Sequence, residues 1–370
     1  MRISNNAGAL GQGPLHGIRI LEFTGLGPTP FAAMMLADMG ADVLRITRHD
    51  ADDGADDPLH RGRPALPLDL KQAADVAQAR ALADRADVVL EGYRPGVMER
   101  LELGPDVLCA RNERLVYARM TGWGQTGPLA HKAGHDINYI ALTGGLHMVG
   151  PADRPPPPPL NLVGDFGGGA LFAVTGILAA LIERQASGRG QTIDIAMVDG
   201  ATELLTQIHG WRASGMWRPE REANMLDGGA YFYRCYETAD GGHMAVGAIE
   251  PQFHAALIAG LDLDPADFAD QRDPAHWTER SDRLAARFRM LPRDAWEARF
   301  SGLDACVTPV LTLDEAKQHP ANRDRAVYQP DNALPAPAPR FGRTPAMAAR
   351  PVEHADARAH RWIGGDAQTD

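Results

Sequence analysis

The chain has 370 residues, 44% of them hydrophobic, and a formal net charge of −11; that length allows one large domain plus a smaller one, and the charge argues against nucleic acid, whose phosphates ask for a basic surface. No run of about 18 apolar residues reads as a membrane span, the first residues lack a signal peptide's apolar centre, and three cysteines far apart (Cys109, Cys235, Cys306) make neither a disulfide framework nor a zinc site. A soluble cytoplasmic protein is expected, and an anionic small-molecule ligand would need a local arginine cluster.

Residues 1–13 read as a flexible N-terminus. Residues 17–23 read as a buried strand, followed by the loop Thr24–Pro28 and a helix that Thr29 can cap, Pro30 can start and Gly40 ends. Residues 41–47 make the next strand, with Arg48 just past its end. Alternation continues with a helix near 70–85, a strand over 87–93, a helix near 96–109 and a strand over 115–120. Repeated strand–helix units of this length predict a parallel sheet covered by helices. After a glycine-rich turn, residues 170–186 form a long apolar helix, 192–196 a strand and 197–214 a helix. Near Asn224 the pattern changes: residues 231–237 and 243–248 flank Asp240-Gly241-Gly242, a hairpin signal. Pro155–Pro159 reads as a rigid spacer within a loop. The expected organisation is a large domain over 14–200, a linker helix over 201–224, a small α+β domain over 225–312 and a return segment with a tail over 313–370.

Gly25, Gly27 and Pro30 approximate the dinucleotide fingerprint GxGxxG. The third glycine is missing, and Arg48 stands where an acid would hold a ribose, so a nicotinamide site is not expected. Arg48 instead suits a phosphate, or it is simply solvated. Arg94 and Arg100, in Glu91-Gly92-Tyr93-Arg94-Pro95-Gly96-Val97-Met98-Glu99-Arg100, follow a strand by a turn and a helical start, where phosphate oxygens are attracted; structural capping is the competing reading. Lys71, two residues after the capping candidate Asp69, is a weaker phosphate candidate.

Two segments carry the chemistry. His135 follows Gly134, precedes Asp136 and opens an apolar helix, where packing or capping is the competing reading. Asp165 follows Gly164 and precedes Gly167, Gly168 and Gly169, whose N–H groups at a helix start are candidates to hold an anion or an enolate oxygen; simple N-capping competes. A histidine and an acid flanked by glycines suit proton transfer at two faces of one substrate. Glu250 ends an apolar strand before Pro251 and alone reads as a cap.

Together these segments, with Met120–Gly127 and Gly247–Phe253, resemble the family III CoA-transferases of CaiB/BaiF type, from about Pro14 through Arg343, and within that superfamily its racemase branch. The resemblance implies a Rossmann-like α/β large domain, a small domain and an interlocked homodimer. It implies that Asp165 is the nucleophile in transferases and one of two acid/base groups in racemases, where His135 stands in place of the transferases' aromatic residue. Glu250 would support the imidazole, Asp136 stands beside it, and Arg48, Arg94 and Arg100 would bind CoA. His60–Pro64 is a loose match to the segment that helps hold the nucleotide. The implied reaction inverts C2 of a 2-methyl-branched acyl-CoA by 1,1-proton transfer, with His135 on the S face and Asp165 on the R face. CoA belongs to the substrate, and no metal or redox cofactor is needed. Asp165 must then be held protonated above its reference value of about 3.9 by burial. The alternatives are a CoA-transferase using Asp165 as nucleophile and a non-catalytic acyl-CoA binding protein.

Overall fold

The computed structural model describes residues 13–49, 57–346, 348 and 354–364; residues 1–12 of the expected N-terminal segment lie outside them. Six strands, β1 (Arg19–Phe23), β2 (Asp42–Thr47), β3 (Ala65–Pro67), β4 (Val88–Glu91), β5 (Val116–Thr121) and β6 (Thr192–Ala196), form one parallel sheet in the order β3-β2-β1-β4-β5-β6. Successive side chains on a strand point to opposite faces. Accordingly Ile20, Val88 and Val116 enter one buried cluster, while their neighbours Leu21, Val89 and Tyr117 enter a second. Burial on both faces leaves β1, β2, β4 and β5 almost wholly buried, polar positions such as Glu22, Arg45 and Arg119 included. β3, three residues that follow Pro64 and end in Pro67, carries too little pattern to be foreseen.

The strand order reverses between β1 and β4. Their outgoing chains diverge there and leave a crevice at the carboxyl ends of the strands, which is where open α/β sheets take ligands.

Several helix ends differ from expectation. The helix after β1 is Pro28–Asp38, and its N-cap is Gly27 at φ 63° with no side-chain bond; Thr29 is buried within the first turn and does not cap. Asp69 holds a turn, accepting the Lys71 N–H at 3.1 Å, while the helix itself starts at Ala73. The stretch near 96–109 splits into Val97–Arg100 and Pro105–Arg111, and 197–214 into Met197–Glu203 and Thr206–Ala213.

The largest difference lies at the glycines. Leu162–Ala170 is a π-helical segment that runs directly into the helix Leu171–Ser187. No turn separates them. A Cβ at Gly168 would lie 2.5 Å from Ala201 N, and one at Gly200 would lie 1.9 Å from Gly168 O. These glycines therefore let two helices touch backbone to backbone. The 26 residues Leu162–Ser187 are long and apolar enough to cross a membrane by length and composition. Ala173, Val174, Ile177, Ala180 and Leu181 nevertheless pack into the first sheet cluster, as a core helix does.

The chain divides into two compact units. The first comprises the described residues of Met1–Thr143, Leu160–Leu204 and Gln329–Asp370, and the second Gly144–Pro159 with Leu205–Tyr328. The second unit carries an antiparallel sheet of β7 (Tyr233–Glu237), β8 (His243–Gly247) and β9 (Val307–Pro309). The hairpin falls where the Asp-Gly-Gly signal puts it, pairing Glu237 with His243. Tyr231, Phe232, Leu257, Phe288 and Trp296 make its core.

Candidate active site

A cavity of about 740 Å³ lies at the reversal point, with walls from the loops after β1 and β4 and from the segments bearing His135 and Asp165. Every residue lining it belongs to the first unit.

His135 sits in extended backbone immediately before the helix Asp136–Leu142, and its N–H donates to Asn138 Oδ1 at 3.0 Å. His135 lines the cavity. Gly134 is required by a neighbour the sequence did not single out: a Cβ there would lie 2.7 Å from the Tyr139 ring, and one at Gly122 would lie 2.1 Å from it. Tyr139 donates its hydroxyl to the Gly134 carbonyl and meets Trp123 edge-on at 4.8 Å. Both rings line the same cavity as His135.

Asp165 is half-buried in the helical segment, with its carboxylate against the β1 loop. A Cβ on Gly27 would approach Asp165 Oδ2 to 2.9 Å, so glycine leaves the carboxylate its room. Burial raises the Asp165 carboxyl to about 6; the charge of Asp136 pushes the same way and His135 opposes it.

Asp136 is buried, and its Oδ2 accepts the N–H groups of Gly164 and Asp165, each at 2.7 Å. This corrects the expected use of the glycine amides. The Gly164 N–H is taken by Asp136, and Gly167 and Gly168 lie inside π-helical turns, whose N–H groups donate five residues back. None of the three offers an N–H to an enolate oxygen.

Of the expected phosphate contacts, Arg48 and Arg94 line the cavity, whereas Arg100 and Lys71 are exposed outside its lining. Lys132, three residues before His135, does line it, and composition alone gave no reason to choose it. In the His60–Pro64 segment the polar groups serve the fold: Arg45 donates to His60 Nδ1 at 3.1 Å, Arg61 pairs with Asp38, and Arg63 forms a fully buried pair with Glu22. Glu250 belongs to the second unit, exposed at the start of the helix Pro251–Gly260 and without a capping bond of its own. Among the described residues, no group of three or more His, Cys, Asp or Glu is placed to hold a metal ion.

An acid tuned toward neutrality, an imidazole and two arginines at the reversal point of a parallel sheet define an α/β enzyme of proton or acyl chemistry on an anionic ligand. More particularly, the chain belongs to CoA-transferase family III, whose model matches residues 15–358. It is 47% identical over 336 residues to the alpha-methylacyl-CoA racemase of Mus musculus, spanning 90% of this chain and 88% of that one. To the human alpha-methylacyl-CoA racemase it is 45% identical over 340 residues, with 90% and 88% covered. Among solved structures, a CAIB/BAIF family protein from Brucella suis superposes with a TM-score of 0.80 at 24% identity, over 95% of this chain and 100% of that one, a likeness of fold.

Proposed function

We propose that this chain is an acyl-CoA racemase that inverts C2 of 2-methyl-branched acyl-CoA thioesters by 1,1-proton transfer through an enolate. The observation that carries the reading is the presence of His135 and Asp165 in one cavity with the Asp165 carboxyl raised to about 6. A carboxyl titrating there still holds a proton in a useful fraction of molecules near neutral pH and gives it up readily. The 47% identity to a curated racemase supports the same reading.

In this mechanism one group removes the α-proton, which the thioester carbonyl acidifies. The planar enolate then takes a proton from the opposite group, so the configuration inverts. His135 serves the S face and Asp165 the R face. Asp136 fixes the main chain at Asp165. Arg48 and Arg94 hold the phosphates of CoA, with Arg100 and Lys71 farther out along the nucleotide. CoA arrives as part of the substrate, and the step asks only for proton-transfer groups, so no resident cofactor is invoked.

The working form is a cytoplasmic homodimer. Light scattering at assay concentration should give twice the chain mass; an active monomer would contradict it.

The family name favours one competing reading, CoA transfer through an Asp165 thioester. Incubation with a 2-methylacyl-CoA in D₂O separates the possibilities. The racemase places deuterium at C2 without any added acid, a transferase requires an acceptor carboxylate, and a non-catalytic acyl-CoA binding protein does neither.

A further inference from the structure

Beneath the cavity wall runs a chain of charges that the proton-transfer chemistry does not use. Glu91, the last residue of β4, has 0% exposure. Its Oε2 accepts the N–H of Tyr93 at 2.7 Å, and its Oε1 accepts from Arg119 Nε at 3.1 Å. Arg119, on β5, extends Nη2 to Glu99 Oε1 at 2.8 Å. Glu99 lies in the short helix Val97–Arg100, which starts after Gly96 at φ 82°. The chain therefore ties both ends of one excursion: the residues leaving β4, which bring Tyr93 and Arg94 into the cavity, and the helix that follows.

Burying a carboxylate completely is costly, and an apolar pair of similar volume would serve stability as well or better. Burial accordingly raises the Glu91 carboxyl to about 7, against the pull of the Tyr93 amide and Arg119. What the pair supplies that apolar side chains cannot is direction. It gives the Tyr93 N–H a partner, and the planar guanidinium sets the distance from β5 to the helix. Resting on the acyl-CoA reading above, we propose that Glu91, Arg119 and Glu99 are positioning residues that set the geometry of the Tyr93–Arg94 turn for the phosphate end of CoA.

The test measures binding of free CoA by calorimetry, with the unfolding midpoint of each protein, for wild type, Arg119→Lys, Arg119→Gln and Glu99→Gln. The expected result is CoA binding weakened about tenfold in Arg119→Gln, about 1.4 kcal/mol. Weakening of about threefold is expected in Arg119→Lys, which keeps the charge and loses the fork, and in Glu99→Gln. Glu99 is on the surface, so its variant should keep the wild-type midpoint while still losing affinity, an effect a purely structural role would not produce. In turnover the variants should raise KM for acyl-CoA with kcat within about twofold of wild type. If Arg119→Gln does not fold, the other two variants decide. Wild-type affinity in both Arg119→Lys and Glu99→Gln, or affinity lost only in step with the midpoint, overturns the proposal. Binding is read without turnover, so this graded pattern in a protein that fails to exchange C2 would contradict the racemase reading and leave the positioning role standing.

Discussion

Asp136 Oδ2 accepts the backbone N–H of Asp165 at 2.7 Å, so one buried carboxylate holds the main chain of another in place while its charge disfavours the second carboxylate's ionisation. Burial is the larger cause of the raised Asp165 titration and Asp136 the next. Replacing Asp136 by Asn keeps an acceptor for the amides and removes the charge. The pH at which Asp165 half-ionises should then fall below about 6, visible as a shift of the acid limb in a pH profile of C2 exchange. A limb that stays put or moves upward would refute the electrostatic link.

A raised carboxyl also has a sign in stability. The folded-state value, about 6, exceeds the reference value of 3.8, so the folded chain binds more protons between the two. Its contribution is fully present below the lower value and is lost as pH rises through the upper. Asp165→Asn removes the ionisation, so it should melt higher than wild type at pH 8. The gap should shrink as pH falls from about 6 to about 4, and differential scanning at several pH values would expose a gap of the opposite sign or one indifferent to pH.

Anchoring of CoA should divide the arginines. In a chain with net charge −11, only cations within about 8 Å act strongly on a ligand phosphate in physiological salt. Arg48→Ala and Arg94→Ala should raise KM for an acyl-CoA about tenfold, with little change for the matching acyl-pantetheine, which lacks the nucleotide. Arg100→Ala and Lys71→Ala, outside the cavity lining, should have smaller effects. Equal losses on both substrates would show that Arg48 and Arg94 do not meet the nucleotide end.

Backbone contact between two helices makes Gly200 intolerant. Its Cβ would meet the Gly168 carbonyl oxygen at 1.9 Å, and both partners are main chain with no rotamer to yield. Gly200→Ala should cost about 3 kcal/mol or more, read as a lower urea midpoint. Gly210→Ala, where nothing lies within 4 Å, is the control. A Gly200→Ala protein as stable as that control would mean the two helices are farther apart.

Much of the large domain is legible because a sheet covered on both faces leaves an unmistakable record. The strand Ile20–Phe23, apolar but for Glu22, the Thr24–Pro28 loop and the repeats that follow require little beyond strand patterning and helix spacing. The hairpin of the second unit is equally local, since Asp240-Gly241-Gly242 carries its own turn chemistry. His135, Asp165, Arg48 and Arg94 are likewise marked by neighbouring glycines or strand ends. What misleads is glycine whose reason lies far away. Gly168 reads as a turn because its packing partner, the helix at Met197–Glu203, is some thirty residues on. Gly134 and Gly122 answer to the Tyr139 ring. Thr29 has the right chemistry for a cap, yet the chain has already turned helical at Pro28. The Asp136 bonds to Gly164 and Asp165 span 28 and 29 residues, and nothing local announces them.

The proposed racemisation requires Asp165 to act on the proton at C2 and not on the thioester carbonyl. The most direct measurement mixes enzyme with one enantiomer of a 2-methylacyl-CoA in D₂O. It follows the configuration and deuterium content of the thioester together with the mass of the Asp165 peptide. Proton transfer predicts a product of inverted configuration carrying one deuterium at C2, no mass increase at Asp165 and no inactivation by hydroxylamine; His135→Ala and Asp165→Ala should each slow inversion by ~10²–10⁴. A CoA thioester trapped on Asp165 and formed as fast as turnover, with CoA passing to free carboxylates faster than deuterium enters C2, would contradict it.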